Sequence, residues 1–207
     1  MSTPASPPAH DPSPIGPPPL VHRVFGEPRF HTDADICALC FAADGRLFSV
    51  DEGGVLQHWS ADGRPLARHF LSDLETLWRF GPGGRLLVSG NEDLGVWDAE
   101  SGQLLARTAD QAGDWATALA VAPDGRTVAS GHDGGSLRLW DATTGHLAGE
   151  FRAHPRKAVS AVAFSPDGRF VATAGEDRSV RVWDARTHRP VAELKSHTDR
   201  IPALVWG

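Results

Sequence analysis

Long apolar runs and basic charge are both scarce in this chain of 207 residues. No apolar stretch approaches the roughly 18 residues that a membrane-spanning helix needs. The N-terminus also lacks the charged start and apolar segment of a secretion signal. The formal net charge is -6, whereas proteins that bind nucleic-acid phosphates usually carry a basic excess. These absences argue against a membrane or nucleic-acid partner and predict a cytoplasmic protein.

Cysteine is rare as well, and the two present are Cys37 and Cys40. Their C-x-x-C spacing occurs in redox motifs and in half of a zinc site, but the segment ICALCFA is typical of a strand. Residues three apart on a strand point to opposite faces, and no second cysteine pair completes a metal site, although His31 is nearby. We expect two buried, unreactive thiols; a metal or redox site is the alternative.

Motifs for phosphate binding and metalloprotease chemistry are missing. The chain has no G-x-x-x-x-G-K-[ST], no H-E-x-x-H and no G-x-G-x-x-G. The glycine cluster GHDGGS at 131–136 is interpreted as a turn between two strands. We therefore expect no cofactor, no metal and no catalytic residue.

The first 28 residues differ in composition from the rest, because they are rich in proline and poor in large apolar residues. Proline removes amide donors and fixes φ, so this segment cannot form a helix or pair as a strand. Residues 1–28 are predicted to be a disordered or polyproline-like tail. A PxxP ligand is the alternative, although that motif is weak.

The remaining chain consists of repeats. Trp97, Trp140 and Trp183 are 43 residues apart, and Trp59 lies 38 residues before Trp97. Each Trp ends an apolar run of strand length, with two similar runs before it and a fourth after it, all rich in Val, Leu and Ala. A period near 40 residues with four strands per unit is typical of a β-propeller.

Turn sequences recur at matching places. ADGR, PGGR and two copies of PDGR join the first strand of each unit to its second, and their glycines suit the positive φ of a hairpin turn. A further turn follows each Trp strand, and only the last of these, DARTH, lacks glycine. No amphipathic helical pattern persists for three turns, so the sequence predicts an all-β fold.

These units resemble WD repeats, whose Trp-Asp pair stands here as Trp97-Asp98, Trp140-Asp141 and Trp183-Asp184. The resemblance covers residues 29–207 and implies a partial WD-repeat β-propeller. It also implies a protein–protein interaction scaffold without catalytic activity of its own, from a multi-repeat protein of bacterial type. The alternative is a recruiting or sensor module of a larger enzyme or signalling protein.

The end of the chain begins another unit, since HTDRIPALVWG (197–207) matches HPRKAVSAVAFS (154–165). Four four-stranded blades are therefore expected, followed by the first strand of a fifth. Propellers of this family mostly close with about seven blades, so we expect a fragment of a longer chain; a half-ring that pairs with a second copy is the alternative. Open ends of this kind favour self-association.

The resemblance further implies a polar network within each blade. A His before the first strand, a Ser or Thr in the second, an Asp in the next turn and the Trp of the third would be hydrogen-bonded, because a buried indole N–H needs a partner and a hydroxyl can both accept and donate. The fourth unit has all four members: His154, Thr173, Asp177 and Trp183.

The other networks are expected to be incomplete. The third unit has Ser130 and Trp140, but Gly134 stands at the Asp position and no His precedes its first strand; the first unit has His31, Ser49 and Trp59, with Gly53 at the Asp position. A His, Thr and Asp set can also suggest a hydrolase triad. Thr173 lies in a strand without a nucleophile elbow, so the structural role is preferred.

A partner-binding face is predicted where the loops before first strands and the turns between second and third strands share one side of the disc. Its candidates are Trp115, Arg156, Lys157, Arg178 and Arg200. Aromatic and Arg side chains are common interface anchors. The alternative is that Trp115 folds onto its own loop and the basic residues are only solvated.

Overall fold

A computed structural model describes residues 34–71, 77–90, 93–108 and 114–206. Within these ranges the chain forms sixteen strands in four antiparallel sheets, each a meander of four consecutive strands. The predicted tail and His31 lie outside the described residues. The all-β fold and the four-stranded units are confirmed.

The strands follow one another along the chain without a crossover. The first sheet contains β1 (Ile36–Phe41), β2 (Leu47–Asp51), β3 (Val55–Trp59) and β4 (Pro65–Phe70). The second contains β5 (Leu77–Gly81), β6 (Arg85–Ser89), β7 (Leu94–Asp98) and β8 (Gln103–Arg107). The third contains β9 (Ala116–Val121), β10 (Thr127–His132), β11 (Ser136–Asp141) and β12 (Leu147–Arg152). The fourth contains β13 (Val159–Phe164), β14 (Phe170–Gly175), β15 (Val180–Asp184) and β16 (Pro190–Leu194).

The turns explain why these short strands form hairpins. Glycines in the four hairpin turns that join first to second strands have positive φ, for example Gly45 (84°) and Gly168 (70°). In the segment DARTH, His188 takes the place of glycine at φ 60° and its N–H still donates to the carbonyl of Asp184. Apart from the strands, the described ranges contain one short 3-10 helix, Pro82–Gly84.

The four sheets lie side by side through their first strands. Strand β1 contacts β5, β5 contacts β9, and β9 contacts β13. The fourth strands are at the outside, and every residue of β16 is exposed. Inner first strands and outer fourth strands are the arrangement of propeller blades around an axis. Among the described residues, no comparable contact joins the first sheet to the fourth, so the array is open.

The hydrophobic core lies between consecutive sheets. The Trp-bearing faces of the second, third and fourth sheets pack on the sheet before them: Trp183 joins Val159 and Val171 against Leu137 and Leu139 of the third sheet. Trp140 makes the equivalent contact with the second sheet. Burial of such side chains contributes about 25 cal/mol per Å² of apolar surface, and here that burial comes from contacts between blades.

The segment after β16 lies where a fifth first strand is expected, although residues 201–206 are assigned to no strand. Ile201, Leu204 and Trp206 pack against Ala161, Ala174 and other residues of the fourth sheet. The Ser160 hydroxyl donates to the carbonyl of Ile201 (2.7 Å), as that of Thr117 donates to Val159 (2.6 Å) one unit earlier.

The expected burial of the two cysteines is wrong. Cys37 is exposed and Cys40 is half-buried, and both are free thiols. Strand β1 belongs to the first sheet, one face of which is not covered by another described sheet, whereas β9 and β13 have described neighbours on both sides. Burial, with the charges of Glu52, Asp51 and Asp35, raises the pKa of Cys37, which disfavours the nucleophilic thiolate.

Candidate functional site

The fourth sheet contains a continuous hydrogen-bonded chain from its buried tryptophan to the loop before β13. The Trp183 indole N–H donates to Thr173 Oγ1 (3.1 Å), which contacts His154 Nε2 (2.9 Å). On its other side, His154 Nδ1 lies 3.0 Å from Oδ1 of Asp177. The Thr173 hydroxyl accepts from the indole and can donate its hydrogen to Nε2, and in that tautomer Nδ1–H donates to the carboxylate. The Arg181 guanidinium also lies 2.7 Å from Nδ1.

Electrostatics hold this chain in one protonation state. Burial lowers the pKa of His154, and the nearby Asp177 only partly offsets this effect, so the imidazole is neutral near pH 7. Burial opposes ionisation of Asp177, but hydrogen bonds from Ser179 and Arg181 outweigh it and hold the pKa of that carboxyl well below its usual range. The Arg181 guanidinium lies 2.8 Å from Asp177 Oδ2 and also donates to the carbonyl of Ala153.

The third sheet has a related network that was not predicted from the sequence, although Gly134 supplies no carboxylate and no His precedes the first strand, as expected. The Trp140 indole N–H donates to Ser130 Oγ (2.8 Å), which contacts His132 Nε2 (2.9 Å). His132 Nδ1 contacts the main-chain carbonyl of Asp114 (2.7 Å). The Asp114 carboxylate accepts from the amide of Gly134 (3.0 Å) and the hydroxyl of Ser136 (2.7 Å).

In this sheet the positions of His and Asp are reversed: the His lies at the end of the second strand, and the Asp lies in the loop before the first strand. His132 ends β10, at the position of Gly175 in the fourth sheet, while Asp114 comes from the loop before β9. A Cβ built on Gly175 would lie 2.3 Å from His154 Nδ1, and one built on Gly134 would lie 3.0 Å from Asp114 Oδ1. Gly175 therefore leaves room for the imidazole of His154, and Gly134 leaves room for the carboxylate of Asp114. In each case the other sheet has the His or the Asp at the position of that glycine.

The residues that sequence reasoning missed have a recognisable signal. Arg138 and Arg181 each stand two residues before their Trp, in SLRLW and SVRVW. Arg138 is paired with Asp114 (3.1 Å) and Glu150 (3.2 Å), and Arg181 is paired with Asp177 and Glu193 in the same way. A shared Arg at this position indicates a carboxylate nearby, even where the aligned residue is Gly134.

The first sheet retains only part of the arrangement in its described residues. The Trp59 indole N–H donates to Ser49 Oγ (2.8 Å), and the Asp51 carboxylate accepts from the amide of Val55 (3.0 Å). Asp51 occupies the position that corresponds to His132 and Gly175. The role predicted for His31 cannot be placed, because His31 is outside the described ranges.

Above these networks, the loops and turns meet on one face of the array. In the third and fourth sheets, the first residue of the turn between second and third strands donates its amide to the loop before the first strand: Asp133 to Trp115 (3.1 Å) and Glu176 to Ala158 (3.0 Å). Neighbouring sheets are also connected here, since the amide of His154 donates to the carbonyl of Gly135 (2.9 Å). The shared face that the sequence predicts is therefore formed by hydrogen-bonded backbone.

The five predicted binding residues lie on these loops and turns, and all five are exposed. Trp115 is 61% exposed and precedes β9. Arg156 and Lys157 belong to the loop before β13, and Arg178 belongs to the turn before β15. The Arg178 guanidinium donates to the carbonyl of Thr198 (3.1 Å), two residues from Arg200.

The hydrolase alternative does not fit the geometry of the fourth sheet. Thr173 and His154 have no exposed surface, so their hydroxyl and imidazole cannot reach a substrate, and Trp183 already occupies one lone pair of the hydroxyl. Among the residues that the structure describes, no cluster of three His, Cys, Asp or Glu side chains is arranged to hold a metal ion. The same part of the chain contains no helix with the length and apolarity needed to cross a membrane.

Comparison with known proteins agrees with this geometry. The family model for the WD domain, G-beta repeat, matches residues 103–141 and 145–184. Each match runs from the fourth strand of one sheet, or the turn before it, to the Trp-Asp pair that ends the third strand of the next. No curated protein matches the chain. With the repeats, the four-stranded sheets and the tryptophan networks in place, these two segments are WD repeats.

Proposed function

We propose that the chain is a protein–protein interaction scaffold, without catalytic activity of its own, that binds partners through the face carrying Trp115, Arg156, Lys157, Arg178 and Arg200. WD-repeat proteins generally serve as interaction scaffolds and are typically not catalytic. The single observation that carries the proposal is Trp115, an indole left 61% exposed on a hydrogen-bonded backbone.

The exposed tryptophan has the properties of an interface anchor. Its ring packs into none of the hydrophobic clusters formed by the described residues, so the core does not require an aromatic side chain here. The equivalent residue of the fourth sheet is Ala158. Trp and Arg are the residue types most enriched among those that dominate binding energy, and both occur on this face.

Backbone strain on the same face supports the proposal. Arg156 (φ 63°) and Arg178 (φ 65°) adopt the left-handed conformation, which costs a residue with a Cβ about 1–2 kcal/mol relative to the right-handed one. Gly135 and Gly54 occupy the position of Arg178 in the third and first sheets, also with positive φ. The backbone does not require an arginine where glycine would be relaxed, and this supports a role for the side chain in contact with a partner.

The charges favour a partner with an acidic segment beside an apolar one. Arg156, Lys157, Arg178 and Arg200 are all exposed and come from the fourth sheet and the segment after it. Exposed cations raise the association rate with a complementary surface more than they raise affinity. Trp115, on the neighbouring sheet, would supply the apolar contact.

A pull-down with Trp115→Ala and Arg178→Glu tests the face. The matched control is Leu147→Ala, which removes an exposed apolar side chain (49%) from the outer strand β12 of the sheet that carries Trp115. We expect both test variants to stay folded and to lose partners that the parent and the control retain. If both variants keep every partner of the parent, this face is not the binding surface.

We also propose that copies of the chain self-associate through the uncovered face of the first sheet. Ile36, Leu39, Phe41 and Phe70 are 52–70% exposed there, while the corresponding faces of the later sheets are packed on a neighbour.

A further inference from the structure

The exchanged network of the third sheet ends at the residue next to the exposed tryptophan. Its hydrogen bonds run from Trp140 through Ser130 and His132 to the main-chain carbonyl of Asp114. Trp115 follows directly, and its own carbonyl accepts the amide of Asp133. Two consecutive carbonyls before β9 are thus held, one by a buried imidazole and one by the adjacent turn.

The Asp114 side chain adds further contacts to this backbone. Its carboxylate accepts hydrogen bonds from Gly134, Ser136 and Arg138, all on the turn and strand that face it. Burial opposes its ionisation, but hydrogen bonds led by that of Ser136 hold its pKa below the ordinary value. The charged carboxylate is therefore a stable part of the fold at neutral pH.

The fourth sheet makes the same turn contact, from the amide of Glu176 to the carbonyl of Ala158, but its imidazole joins the loop at a different residue. There the side chain of His154 enters the network four residues before Ala158, which corresponds to Trp115. The residue directly before Ala158 is Lys157, which is exposed. Because His and Asp are reversed in the third sheet, the imidazole is hydrogen-bonded to Asp114, the residue directly before Trp115.

We infer that Asp114 is a positioning residue that holds Trp115 in a binding-ready conformation, so that binding through Trp115 depends on Asp114 without contact between Asp114 and the partner. This inference rests on the proposed function. Ordering a loop and a large side chain at an interface opposes binding, and a backbone already fixed in the free protein avoids that cost. The exchanged network therefore strengthens binding at this one position.

The test uses peptides as probes. Peptides from a random display library are selected on the parent chain, counter-selected on Trp115→Ala and required to bind Arg178→Glu, so that only Trp115-dependent sequences remain. Their Kd is then measured by fluorescence anisotropy with Asp114→Asn and Asp114→Ala. The matched control is Asp177→Asn, which alters the equivalent carboxylate of the fourth sheet.

We expect Asp114→Asn to raise the Kd about three- to tenfold, and Asp114→Ala to raise it by at least as much, through loss of preorganisation. Asp177→Asn should leave the Kd unchanged, because its network does not end beside Trp115. All measurements are made well below the lowest Tm of the set, so that loss of folding cannot account for a difference. A second readout is the fluorine resonance of fluorotryptophan at position 115, assigned by its absence in Trp115→Phe, which should move in Asp114→Asn and not in Asp177→Asn.

The two proposals fail in different ways. If selection yields no Trp115-dependent peptide, both the proposed binding face and the positioning role are overturned. If such peptides bind Asp114→Asn and Asp114→Ala as tightly as the parent, only the positioning role is overturned. An equal loss of binding in Asp177→Asn also overturns it, since the effect would then follow from general destabilisation.

Discussion

At the scale of single residues, the arginines with positive φ should lower the stability of the fold while they contribute to partner binding. Arg178 has φ 65° and donates to the carbonyl of Thr198 from an exposed side chain. A single exposed hydrogen bond contributes little to folding, whereas the left-handed conformation is unfavourable for any residue with a Cβ. An arginine at this position is therefore less favourable for folding than a glycine would be.

We predict that Arg178→Gly raises the free energy of unfolding by up to about 1 kcal/mol and weakens partner binding. The gain would be read as an increase in Tm of about 2–4 °C for a domain of this size. Lys157→Gly is the control, because Lys157 is exposed in the same loops but is not among the residues with positive φ. A lower Tm for Arg178→Gly than for the parent would contradict the interpretation of strain.

Residue types alone could not predict the exchange of His132 and Asp114. When the units are aligned by their 43-residue spacing, Gly134 corresponds to Asp177, and no carboxylate is expected there. Such an alignment compares sequence positions, so it does not detect a side chain that reaches the same place from another segment. Asp114 fills that space from a loop twenty residues away in sequence. The expectation that the core demands no aromatic side chain at Trp115, by contrast, follows from a local comparison with Ala158, and the indole is 61% exposed.

At the scale of the element, the third and fourth sheets each contain a network that joins three of their strands and the preceding loop. The strands and turns were predictable because their signals are local: an apolar run of five or six residues, then a turn with glycine. The burial of β1 was not, since it depends on a neighbouring sheet. Cys37 is exposed for this reason, although its strand was predicted correctly.

The carboxylates of the two networks should contribute equally to the free energy of unfolding, and each should contribute more than a carboxylate outside the networks. We predict that Asp177→Ala and Asp114→Ala each lower the free energy of unfolding by about 2–3 kcal/mol, since each leaves buried donors without a charged partner. Asp133→Ala should change it by less than about 0.5 kcal/mol. The Asp133 side chain is exposed, and the nearby Asp114 raises the pKa of its carboxyl, so its removal relieves repulsion. Urea unfolding of the three variants tests this ranking, and equal midpoints for Asp177→Ala and Asp133→Ala would contradict it.

At the scale of the whole molecule, stability comes from the contacts between sheets, and among the described residues the Trp59 face of the first sheet makes no such contact. Side chains on the Trp59 face of the first sheet alternate with those packed on the second: Leu39 and Phe41 point away from Phe48 and Val50 in the register of β1 and β2. Leu39 is 61% exposed and Phe41 is 70% exposed. In the fourth sheet the corresponding residues, Val162 and Phe164, pack against the third.

We predict that the 207-residue chain is oligomeric in solution, because exposed apolar patches beyond a few hundred Å² favour association. We expect the Trp59 face to bind the fourth sheet of a second copy, at the side where Ile201, Leu204 and Trp206 lie. Between consecutive sheets of the array, the Trp face of one sheet likewise packs on the opposite face of the sheet before it. Light scattering of the purified chain should give a mass above that of the monomer, and Leu39→Lys combined with Phe41→Glu should reduce it to the monomer mass. Leu147→Lys, on the outer strand β12, should not, because that strand lies away from the contacts between sheets. A parent chain that remains a monomer at high concentration would show that this face is not an association surface.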